Sequence, residues 1–389
     1  MSDIVALKDL CEIDITDGTH KTPTYSNEGF IFLSSKNVTS GKIDWKDIMY
    51  IPQWLHDELY KRIAPKKDDI LLAKNGTTGV AAIVDKDEIF DIYVSLALIR
   101  PDKRKILPRY LLHAINSEPS KKFFDSHLKG IGVPNLHLTH IRETPINVPS
   151  FAQQQYIIDI LDKLESNISL RKQQLSKLDE LVKARFVELF GTIHDNKFGY
   201  EIKTLQDVCE QIKDGTHQTP TYTDDSVNGY KFLSSKDVTT GKIDWTHLKY
   251  IPEELHNELY ARITPKKGDI LLAKNGTTGI AAIVDRDEIF DIYVSLALLR
   301  PIEINSVYLW AAINSAETKQ QFDSSLKGIG VPNLHLGEIK KARIIVPPME
   351  LQNQFAAFVE QTDKSKLAIQ QSLERLETLK KSLMQEYFG

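Results

Sequence analysis

The chain has 389 residues, of which 41% are hydrophobic and 26% charged, enough apolar material for two or more packed units and too much for a disordered or collagen-like polymer. Its 49 basic and 53 acidic residues leave a formal charge of −4 and a pI near 6.3, so no overall basic field advertises a nucleic-acid partner. No apolar run approaches the ~18 residues of a membrane span and the start MSDIVALKDL has no leader character, so a soluble, cytoplasmic chain is expected.

In chain order, short apolar runs predict strands at Phe30–Leu33, Ile70–Ala73, 81–84 and 93–99. Helical spacing follows over 107–117 and 120–128, and the connections are rich in Gly, Thr, Asn, Asp and Pro, so the unit is α+β. Residues 152–190 contain neither Pro nor Gly and would measure roughly 58 Å as an α-helix. Apolar residues at Ile157, Leu161, Leu164, Ile168, Leu175, Leu178, Val182 and Leu189 keep the alternating three-and-four spacing of a coiled-coil seam, broken by Arg171 and Arg185. Such a seam needs a partner.

The second half of the chain supplies one, because the sequence is an internal duplication. DGTHKTPTY at 17–25 returns as DGTHQTPTY at 214–222, about 55 of the 72 positions from 30 to 101 recur 200 residues later, and KGIGVPNLHL at 129–138 recurs at 327–336. Cys11 and Cys209 have matching surroundings and read as one position counted twice rather than as a disulfide. Each copy passes through a Val-Pro into a Gln-rich segment that closes on Phe-Gly, and Phe355, Val359, Ile369, Leu373, Leu376 and Leu383 form the second stripe. Two equal long helices related by a twofold axis would pack antiparallel, each holding a globular unit; the alternative is that each helix folds back on its own unit.

Reactive constellations are missing from the sequence. The loop KNGTTG at 74–79 has neither the spacing nor the following Lys of a P-loop, and no G-x-S-x-G elbow, H-E-x-x-H helix, pair of C-x-x-C knuckles or NPPY-like tetrapeptide is present. His137 and His140 have His335 and Glu338 as counterparts, which argues against a metal site, and Asp85, Asp87, Glu88 and Asp91 read as a solvated turn between strands. Neither cofactor nor metal is expected.

With two α+β units, two long helices, DGTH followed by Thr-Pro, DILLAKNGTTG at 69–79, GIGVPNL, and a Val-Pro before each Gln-rich helix, the whole chain resembles the specificity (S) subunit of type I restriction-modification enzymes. The resemblance implies target recognition domains at 1–149 and 192–347 and conserved helical regions at 150–191 and 348–389, the helices pairing as an antiparallel coiled coil with pseudo-twofold symmetry. It also implies a chain without catalysis of its own that reads a split sequence in double-stranded DNA and carries methyltransferase (modification) subunits and a translocating restriction subunit. Heads reaching the major groove on one face of a duplex would meet half-sites about 10 bp apart. Because the copies are so alike, the half-sites are expected to form an interrupted near-palindrome. Two other readings compete: a coiled-coil adaptor that binds proteins only, and the specificity subunit of a related type II-like restriction system.

Candidate DNA contacts follow from residue type and loop position. Lys36 and Lys236 suit a phosphate or guanine, or else an ordinary polar turn. The 74–79 loop and its twin can offer backbone N–H groups to phosphate or serve only as turns, which leaves Lys74, Asn75, Lys274 and Asn275 as side-chain candidates. His20, Lys21, Thr22 and Tyr25, with His217, Gln218, Thr219 and Tyr222, form a polar and aromatic loop fit either to read DNA or to pack. Lys129 and Asn135, with Lys327 and Asn333, belong to Gly-containing loops that could equally be hinges. Asn37 has the groups to pair with adenine and Asp237 to accept from cytosine, unless the difference is surface drift. Trp45 and Trp245 are assigned to packing.

Overall fold

A computed structural model describes residues 3–128, 134–224, 226–326 and 332–389, and the chain packs as two units, one of 1–172 with 371–389 and one of 173–370. The candidates Lys129 and Lys327 therefore lie outside the described residues.

In the first unit a four-stranded sheet runs in the order Thr16–Asp17, Leu96–Ile99, Ile70–Ala73, Ala81–Ile83, with all its pairs antiparallel. Ile70–Ala73 reads as an unbroken apolar run because both of its faces are covered. Ile70 and Leu72 enter one core with Tyr110, Phe124 and Ile146, while Leu71 and Ala73 enter another with Val38, Phe90 and Ile92. A three-stranded sheet, Met49–Ile51, Phe30–Leu33, Phe90–Ile92, holds one parallel pair, and Asp3–Ala6 pairs with Pro145–Val148.

Phe90–Ile92 corrects the reading at Asp91, while Asp85, Asp87 and Glu88 are exposed as a solvated turn requires. Asp91 lies inside this strand, 2% exposed, with its Oδ2 2.7 Å from His56 Nδ1. Burial pushes its carboxyl up, and the hydrogen bond and charge of His56 pull the other way. The His56 ring also stacks on Phe30 at 3.7 Å, which fastens the helix Gln53–Arg62, unseen in the sequence, to the three-stranded sheet. Residues 93–95, expected to be strand, instead form the turn between Phe90–Ile92 and Leu96–Ile99.

The second unit repeats this plan. Its sheets are Cys209–Asp214, Leu296–Pro301, Ile270–Ala273, Ala281–Ile283, then Lys249–Ile251, Tyr230–Leu233, Phe290–Ile292, and the pair Glu201–Thr204 with Arg343–Val346. His256 and Asp291 again meet at 2.7 Å in the interior, and burial lifts the Asp291 carboxyl to about 6 against the pull of His256.

Both long helices form over 40 residues, Phe151–Phe190 and Met349–Phe388. Within each unit they run antiparallel. In the first, Lys380 reaches Glu165 at 2.7 Å and Lys172 reaches Glu377 at 2.8 Å; in the second, Lys366 reaches Asp179 at 2.6 Å and Arg185 lies over Phe358. The ends of the helices also build the cores of the globular parts. Ile157, Leu161 and Phe388 join the core around Tyr110, while Val182, Phe190 and Phe355 join that around Tyr308. The Gln-rich openings have a structural cause as well. Gln154 and Gln352, both 1% exposed, accept from the backbone N–H of Leu107 and Asn305 and donate to the carbonyls of Pro149 and Pro347, anchoring each helix start.

Candidate nucleic-acid interface

Four recurrent segments of the first unit are tied to one edge by the short turn Tyr93-Val94-Ser95. Thr19 of the DGTH segment pairs with it, with Thr19 N on Ile92 O at 3.2 Å and Val94 N on Thr19 O at 3.1 Å. Tyr93 N donates to Leu33 O at 2.9 Å, and Ser35 N donates to Ser95 Oγ at 2.9 Å, which fixes the 34–38 turn. Lys74 N donates to Ser95 O, and Leu136 N to Lys74 O, so the KNG and PNL segments are stitched on next. The second unit repeats every one of these bonds around Tyr293-Val294-Ser295.

Glycine is demanded at one position by packing alone. A Cβ on Gly18 would sit 1.9 Å from Ile92 O, and one on Gly215 would sit 2.0 Å from Ile292 O.

A buried ion pair locks the edge. Lys74 Nζ lies 2.9 Å from Asp17 Oδ2, the two side chains being 8% and 9% exposed, and His20 Nε2 lies 3.2 Å from Asp17 Oδ1. Arg62 donates to the carbonyls of Asp17 and Gly18. In the second unit Lys274 and His217 both lie 3.1 Å from Asp214 Oδ2, and Arg262 donates to Asp214 O.

These contacts correct several expectations. Lys74 and Lys274, expected as side-chain contacts to DNA, are buried and neutralised by their own Asp. Asn37, offered for adenine, is 6% exposed with its amide engaged inside the head. Its Oδ1 accepts from Ser34 N, and its Nδ2 donates to the carbonyls of Asp44 and Asp47. Asp237 makes the accepting half of this cap, taking bonds from Ser234 N and Oγ, and as a carboxylate it has no counterpart to the bonds that Asn37 donates. Asn75 forms a backbone bridge with Asn135, and Asn275 with Asn333; all four are half-buried, and each Oδ1 is enclosed without a hydrogen-bond partner among the described residues. Trp45 and Trp245 do pack, edge-on to Phe90 and Phe290, while donating to Asp85 and Asp285.

The expected residues that present side chains at the surface are His20, Lys21, Thr22, Tyr25 and Lys36, and in the second unit His217, Gln218, Thr219, Tyr222 and Lys236. Lys21 is 83% exposed and lies 3.6 Å from Glu58, a loose surface pair. Tyr25 stands edge-on to Phe32, and Tyr222 to Phe232. Sequence reasoning missed Asp17, Asp214, Arg62 and Arg262, which build the edge; the pairing of one acid and one base in the two best-preserved phrases of the repeat was the available signal.

One group has the composition of a cation site: His113, Asp162 and Glu165 place ligand atoms within 4.8 Å of one another. It is already compensated. Arg109 binds Asp162 with two hydrogen bonds, His113 Nε2 lies 3.1 Å from the same carboxylate, and Lys380 holds Glu165. Burial alone would raise the Asp162 carboxyl, but the bonds from His113 and Arg109 outweigh it and hold the group at about 2. No helix among the described residues is long and apolar enough to cross a membrane.

Among curated proteins the chain is 25% identical over 344 residues to the type I restriction enzyme MjaVIII specificity subunit of Methanocaldococcus jannaschii, covering 83% of this chain and 79% of that one. It is 22% identical over 409 residues to the EcoBI specificity subunit of Escherichia coli, covering 96% and 83%. Among solved structures, the crystal structure of a type I restriction-modification S subunit from M. genitalium shares its fold with a TM-score of 0.59 at 15% identity, covering all of this chain and 96% of that one. The type I restriction modification DNA specificity domain matches twice, over residues 2–180 and 198–381, so the chain belongs to the family of non-catalytic, DNA-recognising specificity subunits of type I restriction-modification systems.

Proposed function

We propose that each head reads one half of an interrupted, near-palindromic DNA sequence, and that the chain carries methyltransferase and restriction subunits to that sequence in the cytoplasm. Residues 1–149 and 192–347 are the target recognition domains in this reading, and 150–191 and 348–389 the helical regions. One observation carries it: four polar segments are tied to a single edge in each unit, and the edge recurs bond for bond. His20, Lys21, Thr22, Tyr25 and Lys36 supply the contacts of the first head, and His217, Gln218, Thr219, Tyr222 and Lys236 those of the second. Lys36 and Lys236, both exposed, suit phosphate, and amide or hydroxyl groups suit base edges. Few cations remain free on these edges, so the attached modification subunits supply much of the attraction to the backbone. The test is protection of DNA by the purified chain with its modification subunit: one interrupted sequence should become resistant to methyl-sensitive cleavage. Protection of no sequence, or of all sequences equally, would overturn the reading.

A further inference from the structure

Given that this edge reads DNA, its side chains can be compared head against head. Along 17–25, 33–45, 74–79 and 134–138 only three positions differ from their counterparts in the second head. Two of the differences are chemically silent. Asn37 and Asp237 both spend their acceptor on the backbone N–H of the preceding Ser34 or Ser234, inside the turn. Ser40 and Thr240 keep the same hydroxyl bond, to the carbonyls of Lys42 and Lys242. The third is Lys21 against Gln218.

That position changes the hydrogen-bonding character of an exposed group while its setting stays fixed. The backbone N–H of Lys21 donates to Thr19 Oγ1 at 3.2 Å, and that of Gln218 to Thr216 Oγ1 at 3.2 Å, so both side chains leave from the same anchored turn. Lys offers donors alone and matches the two acceptors of guanine, O6 and N7, whereas Gln offers a donor and an acceptor and matches N7 and N6 of adenine. We propose that Lys21 and Gln218 are specificity-determining residues: the half-site under the first head carries guanine at the pair where the other half-site carries adenine, and the two halves otherwise agree.

The experiment is single-molecule methylome sequencing of cells that express the full chain with its modification subunit, as wild type, Lys21→Gln and Gln218→Lys. Each variant installs the residue its twin loop already carries, and the position is exposed, so folding is preserved. The wild-type site should break its palindrome at one base pair. Lys21→Gln should make the halves identical with adenine at that pair, and Gln218→Lys identical with guanine, each shifting preference there by about tenfold or more. A fully symmetric wild-type site would overturn the proposal. So would an unchanged site that Lys21→Gln merely occupies less at higher salt, the mark of a phosphate contact. A methylated sequence that does not follow this chain at all would instead remove the DNA-reading assignment, and the proposal with it.

Discussion

Cutting the Asp17–Lys74 pair should loosen the edge of the first head that carries the proposed DNA contacts while leaving the long helices in place. At 2.9 Å, with side chains 9% and 8% exposed, neither charge has water to fall back on. Replacing one partner strands the other, a change that typically costs about 3–5 kcal/mol against the roughly 5–15 kcal/mol that holds a domain folded. Asp17→Ala should therefore lower stability by about 3 kcal/mol or more, and Lys74→Met by a comparable amount. Replacing both, as Asp17→Leu with Lys74→Met, removes two desolvated charges together and should recover most of the loss. In the second head Asp214 is more open, 16% exposed and 3.1 Å from Lys274, so Asp214→Ala should cost less than Asp17→Ala. Denaturant melts give the totals, and hydrogen exchange over 17–25 and 74–79 localises them. An Asp17→Ala chain within about 0.5 kcal/mol of wild type, or a double replacement as damaging as its worse single, would refute the reasoning.

Gly18→Ala places a methyl 1.9 Å from Ile92 O, so the DGTH strand must move; loss of the 18–25 exchange protection and of sequence-directed methylation is expected, and a variant that methylates normally would contradict it. Asp162 gives an acid signature, because its carboxyl sits at about 2 where an unfolded chain has 3.8. A depressed carboxyl adds stability above pH ~4 and loses it as pH falls toward 2. The gap is worth at most about 2 kcal/mol, and about 1 kcal/mol after screening of a side chain that is 30% exposed. The stability difference between wild type and Asp162→Asn should shrink between pH 4 and pH 2; a difference constant with pH would refute the assignment. Burial pushes the Cys11 and Cys209 thiols up to about 12, so at pH 8 almost no thiolate exists and neither should be alkylated in the folded chain; rapid labelling of both would show that these cores are open.

Elements with a local signature were legible in the sequence. Ile70–Ala73 is short, apolar and bounded by Asp and Lys, and Phe151–Phe190 announces itself by 39 residues without Pro or Gly after Phe151. Gln53–Arg62 escaped notice because its helical face is small: only Leu55 and His56 are buried, and its hold on the fold comes from the His56–Asp91 pair, two residues far apart in sequence. Phe90–Ile92 was hidden for the same reason, since an Asp in its centre reads as turn until the buried His is in view. The seam of the long helices was read correctly as apolar, but its ends serve the cores of the heads as much as they serve each other.

Recurrence between the two halves marked segments that the structure brings to one edge, and it left open which work each of them does there. A phrase repeats unchanged when it holds the edge together, and it also repeats when both heads meet the same base, so identity alone does not separate holding from reading. Burial does. Asp17, Gly18, Lys74 and Asn37 are enclosed and hydrogen-bonded inward or packed against backbone, and a change there should alter stability first. His20, Lys21, Thr22 and Lys36 stand on the same scaffold with their side chains in solvent, and a change there should alter affinity or sequence preference with the fold intact. The same division bears on the missing basic signature: a lysine that clamps an aspartate inside the head adds nothing to the field outside it, so the edge proposed to meet DNA can belong to a chain of net charge −4.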